Sequence, residues 1–260
     1  MKKQGFTLIE LLVVIAIIAL MMAVLMPSLQ RTRKQAKALM CQSQLKEWGF
    51  IFSMYTQDNQ DKLPTWLDSG SNWWPIQLKR VWLHYRQTGP LFLCPRSTKP
   101  KPELNSTGSH DWNHGSTFEA WTLVNKQHNV RVDGSYGVNP WGQCPDDDAQ
   151  NKQLYWKTAS IKNANNIPLC MDSVRWWSNS GTAYPDPPPQ EDQWASGNLE
   201  SCINRHEGYV NSLFMDWSIR RIGLKELWTL KWHPEFDTTG RWTQAGGVQP
   251  TAWPAWMRRK

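Results

Sequence analysis

From Phe6 to Met26 the chain reads FTLIELLVVIAIIALMMAVLM, twenty-one residues in which only Thr7 and Glu10 interrupt the apolar run. At about 1.5 Å of rise per residue, such a helix spans about 30 Å, the thickness of a bilayer's hydrocarbon core. Everything that follows must therefore be built on a membrane-anchored helix. A secretory signal would place small residues and its cleavage site after the apolar run. Here Met26, Pro27 and Ser28 follow, and the small residue, Gly5, precedes the run. Cutting at Gly5 would keep the anchor in the mature protein.

Glu10 is the residue an ordinary anchor would not carry. A carboxylate inside a spanning helix costs about 2.5 kcal/mol or more unless partnered, and such groups are functional by default. Pairing with a cation of a neighbouring helix would fix the axial register of packed helices. The alternative is that Glu10, only one turn in, snorkels to the interface.

The run Gly5, Phe6, Thr7, Leu8, Ile9, Glu10, followed by LLVVIAIIA, resembles the N-terminal signal of type IV prepilins and type II secretion pseudopilins. The resemblance implies cleavage after Gly5 and methylation of the new N-terminal Phe6 by a prepilin peptidase. It supplies the Phe6 ammonium of a neighbouring subunit as partner to Glu10, and places Pro27 where helices of this family often kink. It also implies an inner-membrane assembly platform and other pilin-like subunits as partners. Orientation is contested by charge. Lys2 and Lys3 favour a cytoplasmic N-terminus, whereas Arg31, Arg33, Lys34 and Lys37 crowd the other flank and would win a positive-inside count. The signal is given precedence, so residues 28–260 are expected outside the inner membrane of a bacterium, on a single-pass anchor.

Beyond the anchor, Cys41, Leu45, Trp48, Phe52 and Tyr55 recur at helical spacing and define one apolar face. The helix is expected from Thr7 to about Gln57, ended by Asp58–Asn59 and Pro64. Past it, prolines punctuate the chain, residues 179–201 read as a long exposed loop, and strand candidates are short. These are Gly134–Asn139, Ile167–Asp172, and a hairpin of Tyr209–Met215 with Ser218–Ile222, followed by a short helix at Leu224–Trp228. The expected fold is α+β: a long transmembrane helix extending into a globular head with a small antiparallel sheet, as in pilins. The division is leader 1–5, transmembrane helix 6–26, extramembrane helix 27–57 and head 58–260.

Head segments extend the resemblance: CQSQLKEWGF at 41–50, FLCP at 92–95, SYGVN at 135–139 and RHEGYVNSLFMDW at 205–217. They look like a pseudopilin-like group, common in planctomycetes, with a C-terminal His-x9-Asp-Gly element. His206 and Asp216 match it; Trp217 stands in place of the glycine. Because a two-residue type I′ turn wants Asn-Gly or Asp-Gly, Trp217 predicts a longer loop or another turn type.

Chemistry is sparse. A His206–Asp216 dyad would have to bridge a strand about 20 Å long, so contact is not expected. No G-x-S-x-G, HExxH or phosphate-binding loop is present, and the chain does not read as an enzyme. No metal site is expected from spacing: His110, His114, His128 and His233 form no ligand pattern. The cluster Asp146–Asp148 reads as a solvated loop, with calcium the alternative that the resemblance allows. The net charge of +7, which falls by two with Lys2 and Lys3, is dispersed, so nucleic-acid binding is not expected. Five cysteines in an oxidising compartment invite disulfides. Cys94, Cys144 and Cys202 lie in loops that a staple would favour, whereas Cys170 lies in an apolar strand candidate and should stay free. The pairings expected are Cys41 with Cys94 and Cys144 with Cys202.

The expected function is a structural pseudopilin subunit of a type II secretion pseudopilus or a related type IV pilus-like filament. The alternative rests on eighteen tryptophans, which could stack on sugars in a membrane-tethered glycan-binding module, or simply pack a loop-rich core.

Overall fold

The computed structural model describes residues 8–65, 67–68, 72–74, 89–107, 110–127, 129–145, 149–178, 188–191 and 199–258. Gly5, Phe6, His128, Asp146–Asp148 and most of the expected loop 179–201 lie outside them. Helix α1 (Leu8–Asp58) runs through Pro27 as one element. The head's main sheet has four antiparallel strands in the order β11 (Ile219–Gly223), β10 (Tyr209–Phe214), β9 (Pro168–Asp172), β8 (Tyr136–Val138). Upstream lie two two-residue strands, β1 (Leu67–Asp68) and β2 (Asn72–Trp73), paired antiparallel. A second sheet contains β4 (Asn105–Thr107), β5 (His110–Asn113), β6 (Glu119–Asn125) and β7 (Val130–Gly134), with β3 (Lys99–Pro100) pairing β6 in parallel. A helix α2 (Ala255–Arg258) closes the described chain.

α1 is exposed from Leu8 to Lys37, touching the head there through the Lys34–Glu207 ion pair, and its buried face begins at Ala38. From there Ala38, Cys41, Leu45, Trp48 and Phe52 are buried. The expected face is right except at its end. Tyr55 is exposed and Thr56 takes the buried place, because four residues past Phe52 falls nearer the same azimuth than three. Gly49 lies on the buried side, and a Cβ there would come within 3.0 Å of Leu213 Cδ1, so a larger residue would require that side chain to shift.

Two apolar clusters sandwich the main sheet. One joins α1 to Leu213, Val138, Tyr136 and Trp121; the other packs Val210, Phe214 and Ile222 against the C-terminal segment, including Trp228 and Trp253. The alternation along β10 explains both, since successive side chains face opposite sides. The tryptophans fill these clusters. Trp48 donates its indole N–H to the Leu91 carbonyl at 2.9 Å, Trp121 to that of Tyr136 at 3.1 Å, and Trp232 to that of Leu227 at 2.9 Å. Irregular backbone leaves carbonyls free for such bonds, which makes tryptophan a suitable core residue here. Of the tryptophans whose side chains are described, none is exposed.

The expected hairpin is present, with Leu213 opposite Ile219. Its turn is the longer kind. Phe214 N–H bonds the Ser218 carbonyl at 3.0 Å and Trp217 N–H bonds the Phe214 carbonyl at 2.9 Å, enclosing a three-residue loop. Trp217 takes φ 64°, the left-handed position that a glycine ordinarily fills in such loops. The expected short helix is a 3-10 turn at Leu224–Thr229. Strands β5, β6 and β7 were not legible in the sequence.

Candidate functional site

Two features of the molecule lie outside ordinary packing. The first is the bare part of α1, long and apolar enough to cross a membrane. Glu10 lies on it, exposed, among Leu8, Ile9, Leu11 and Leu12. Polar and basic residues then make a collar between the apolar stretch and the head, including Arg31, Arg33 and Lys34. Lys34 reaches back to the head and pairs with Glu207 at 2.5 Å.

The second is a buried polar cluster where spine, sheets and loops converge. Cys41 comes from α1, Cys94 from the loop after the 3-10 turn Gly89–Phe92, Asp172 from the end of β9, and His206 from the segment before β10. One ligand-type atom from each lies within 4.8 Å of the others. Cys94 Sγ is 3.5 Å from His206 Nε2, which is 3.2 Å from Asp172 Oδ2. Cys41 Sγ lies 3.6 and 3.7 Å from the two Asp172 oxygens.

The surroundings hold these four groups in place. Arg205 is wholly buried and pairs with Asp172 at 3.1 Å. Its guanidinium also donates to the backbone carbonyls of Ser116, Thr117, Ser135 and Ser173, which pins it across both sheets. Asn211 N–H donates to Asp172 Oδ2 at 2.9 Å. Tyr136 O–H donates to Cys41 Sγ at 3.2 Å and Gln44 Oε1 at 2.8 Å. Ser135, the one-residue link between β7 and β8, accepts the Cys94 N–H on its hydroxyl.

Charge is correspondingly displaced. Burial alone would raise the Asp172 carboxyl, but His206, Arg205 and the Asn211 N–H outweigh it and hold the group well below the carboxylate range. Burial would lower His206, yet Asp172 and Cys94 carry it up to about 9. Burial likewise opposes ionisation of Cys94, but hydrogen bonds from Cys41 and His206 and the Arg205 charge bring that thiol down to about 6. Cys41 moves the other way, raised by burial, its bond to Cys94 and the Asp172 charge. The cluster thus holds several charges that only one another can compensate.

The expected site residues separate accordingly. His206 joins Asp172 rather than Asp216. Asp216 is exposed and accepts the Ser218 N–H and hydroxyl at 3.0 and 2.6 Å within the β10–β11 turn. All five cysteines are free thiols in the structure. Cys41 and Cys94 are neighbours, but the disulfide expected between them is not formed in this structure. The pairing of Cys144 with Cys202 is not formed: Cys144 lies beside Pro64 and Tyr55, whereas Cys202 packs on Met257 Sδ at 3.9 Å in the second apolar cluster. Cys170 is buried in β9, as its apolar surroundings imply. Asp172 and Arg205 were missed by sequence reasoning. The available signal was a carboxylate closing the otherwise apolar strand PLCMD, every residue of which is buried.

A bare apolar helix carrying one carboxylate, continued as the central support of an α+β head, is the arrangement of type IV pilin-like proteins. Residues 1–26 match the prokaryotic N-terminal methylation motif. The chain is also similar to the type IV wide pilus major component PilA4 of Thermus thermophilus, with 48% identity over 58 residues. That alignment covers 22% of this chain and 44% of the relative, so it speaks for a part of the chain and not for the whole. No solved structure matches the chain. The chain thus resembles type IV pilins over a limited stretch that includes its first 26 residues, and it carries a helix suited to membrane anchoring.

Proposed function

We propose that this chain is a structural subunit of a type IV pilus-like filament, of the type II secretion pseudopilus kind or a related pilus. The observation that carries this reading is the exposed apolar helix from Leu8 to Met26 with Glu10 near its start, lying within the residues that match the methylation motif. A helix without cover on any side suits lipid before assembly and neighbouring helices after it. In the filament, the Glu10 carboxylate pairs with the N-terminal ammonium of a neighbouring subunit's Phe6, and the pair neutralises two groups that hydrocarbon penalises. The heads then form the outer surface. A prepilin peptidase removes residues 1–5, an inner-membrane platform and an assembly ATPase drive insertion, and the head lies outside the inner membrane.

The glycan-binding alternative needs exposed tryptophan faces, whereas the tryptophans whose side chains are described are buried or packed partly buried against the two apolar clusters. The test is cross-linking in the native membrane. A photoreactive residue placed at Val13, on the exposed helix one turn from an intact Glu10, should cross-link separately tagged copies or sibling subunits to one another. Chains that remain monomeric on cross-linking with their sibling subunits present would defeat the filament reading.

A further inference from the structure

We propose that Cys41, Cys94, Asp172 and His206 form a structural zinc site that ties the helical spine to the head. The donor set is two thiols, one imidazole and one carboxylate, all buried. Thiolate and imidazole suit zinc, whereas calcium and magnesium select oxygen alone.

Three of the six donor–donor spacings come close to the edges of a tetrahedron around zinc, and the other three lie within 4.8 Å. With Zn–S of about 2.3 Å and Zn–N and Zn–O of about 2.0–2.2 Å, tetrahedral edges come to about 3.6 Å between sulfur and nitrogen or oxygen, and about 3.4 Å between nitrogen and oxygen. The sulfur–nitrogen edge from Cys94 to His206 is 3.5 Å, and the sulfur–oxygen edges from Cys41 to Asp172 are 3.6 and 3.7 Å. The nitrogen–oxygen edge is 3.2 Å. The four residues come from four separate stretches of chain and converge on one buried point.

Charge closes as well. A divalent cation with two thiolates and one carboxylate leaves a single negative charge, and the buried Arg205 guanidinium, 3.1 Å from Asp172, cancels it. The surrounding hydrogen bonds are those that orient metal ligands: Tyr136 O–H on the Cys41 sulfur and Asn211 N–H on the Asp172 carboxylate. Four protein donors with no exposed surface leave no position for a substrate or water, so the site is structural rather than catalytic. Because Cys41 belongs to α1 and the other three ligands to the head, bound metal would hold the joint between the two. This inference does not depend on filament assembly.

The experiment uses the full-length chain extracted in detergent without chelator. Elemental analysis should find one zinc per chain, and peptide mapping should find Cys41 and Cys94 unbridged. Cys94→Ser and His206→Ala chains should retain less than about a tenth of that zinc. Stripping the wild-type chain with a chelator should lower its melting temperature, and added zinc should restore it. Cobalt added to the stripped chain should give the thiolate-to-cobalt charge-transfer and visible bands of a tetrahedral site. That titration decides the matter even if the variants fail to fold. A chain isolated with Cys41 bonded to Cys94, or one that after reduction takes up neither zinc nor cobalt, overturns the proposal.

Discussion

Asp172 Oδ2 lies 3.2 Å from His206 Nε2, and neither side chain has any exposed surface. The motif that places His206 ten residues before Asp216 therefore does not record a contact between those two. The histidine serves the buried centre, and the aspartate shapes the hairpin turn.

Asp172→Asn should be among the most damaging single substitutions in the head. It removes the charge that Arg205 and His206 both face, leaving a buried guanidinium uncompensated, at a cost of about 3–5 kcal/mol. Asp216→Asn weakens only exposed turn hydrogen bonds and should cost about 1 kcal/mol or less. Denaturant titration of the two variants should give that order; equal effects would contradict the separation of roles.

The buried face of α1 makes a similar contrast. Trp48→Ala removes a ring packed on Phe52, Trp74 and Phe92, and should cost about 3–5 kcal/mol. Tyr55→Ala, at an exposed position, should stay within about 0.5 kcal/mol. A head that melts unchanged after Trp48→Ala would show that it does not lean on the helix.

Intact-mass measurement should find the mature chain beginning at Phe6 and one methyl group heavier than the unmodified sequence. A mature protein that begins at Met1, or beyond Met26, contradicts the filament reading at its first step.

Glu10→Leu should leave membrane insertion and the head's melting temperature unchanged while abolishing incorporation into filaments. The substitution lowers the insertion cost but leaves the neighbouring ammonium without its counter-charge. Sedimentation of sheared surface filaments from the variant strain measures the loss.

Acid should weaken the head through His233. Burial, aided by the nearby Lys231 charge, depresses this histidine to about 4, so the folded state holds it neutral. Its ring sits between Trp141 and Phe236. The stability it supports is complete above the ordinary value of 6.5 and is lost as pH falls from there towards about 4. Melting temperatures measured across that window should fall less steeply for His233→Gln than for wild type.

What the sequence determined by itself is what depends on neighbours along the chain. The apolar run from Leu8, the one-sided spacing of Cys41, Leu45, Trp48 and Phe52, and the pair of strands around Asp216 are all local patterns, and each forms the element it implies. Even the irregular turn was legible, because a tryptophan in the glycine position of a tight turn forces a longer loop. The buried centre was not, because nothing local encodes it. Cys41, Cys94, Asp172 and His206 are separated by 53, 78 and 34 positions along the chain, and no spacing rule links them. They meet only because α1 lies across β10 while Ser135 turns the chain from one sheet into the other, which brings four unrelated segments to one point. The exchange of Tyr55 for Thr56 has the same origin on a smaller scale: periodicity names a face, but the surface packed against it decides which residue at its edge is covered.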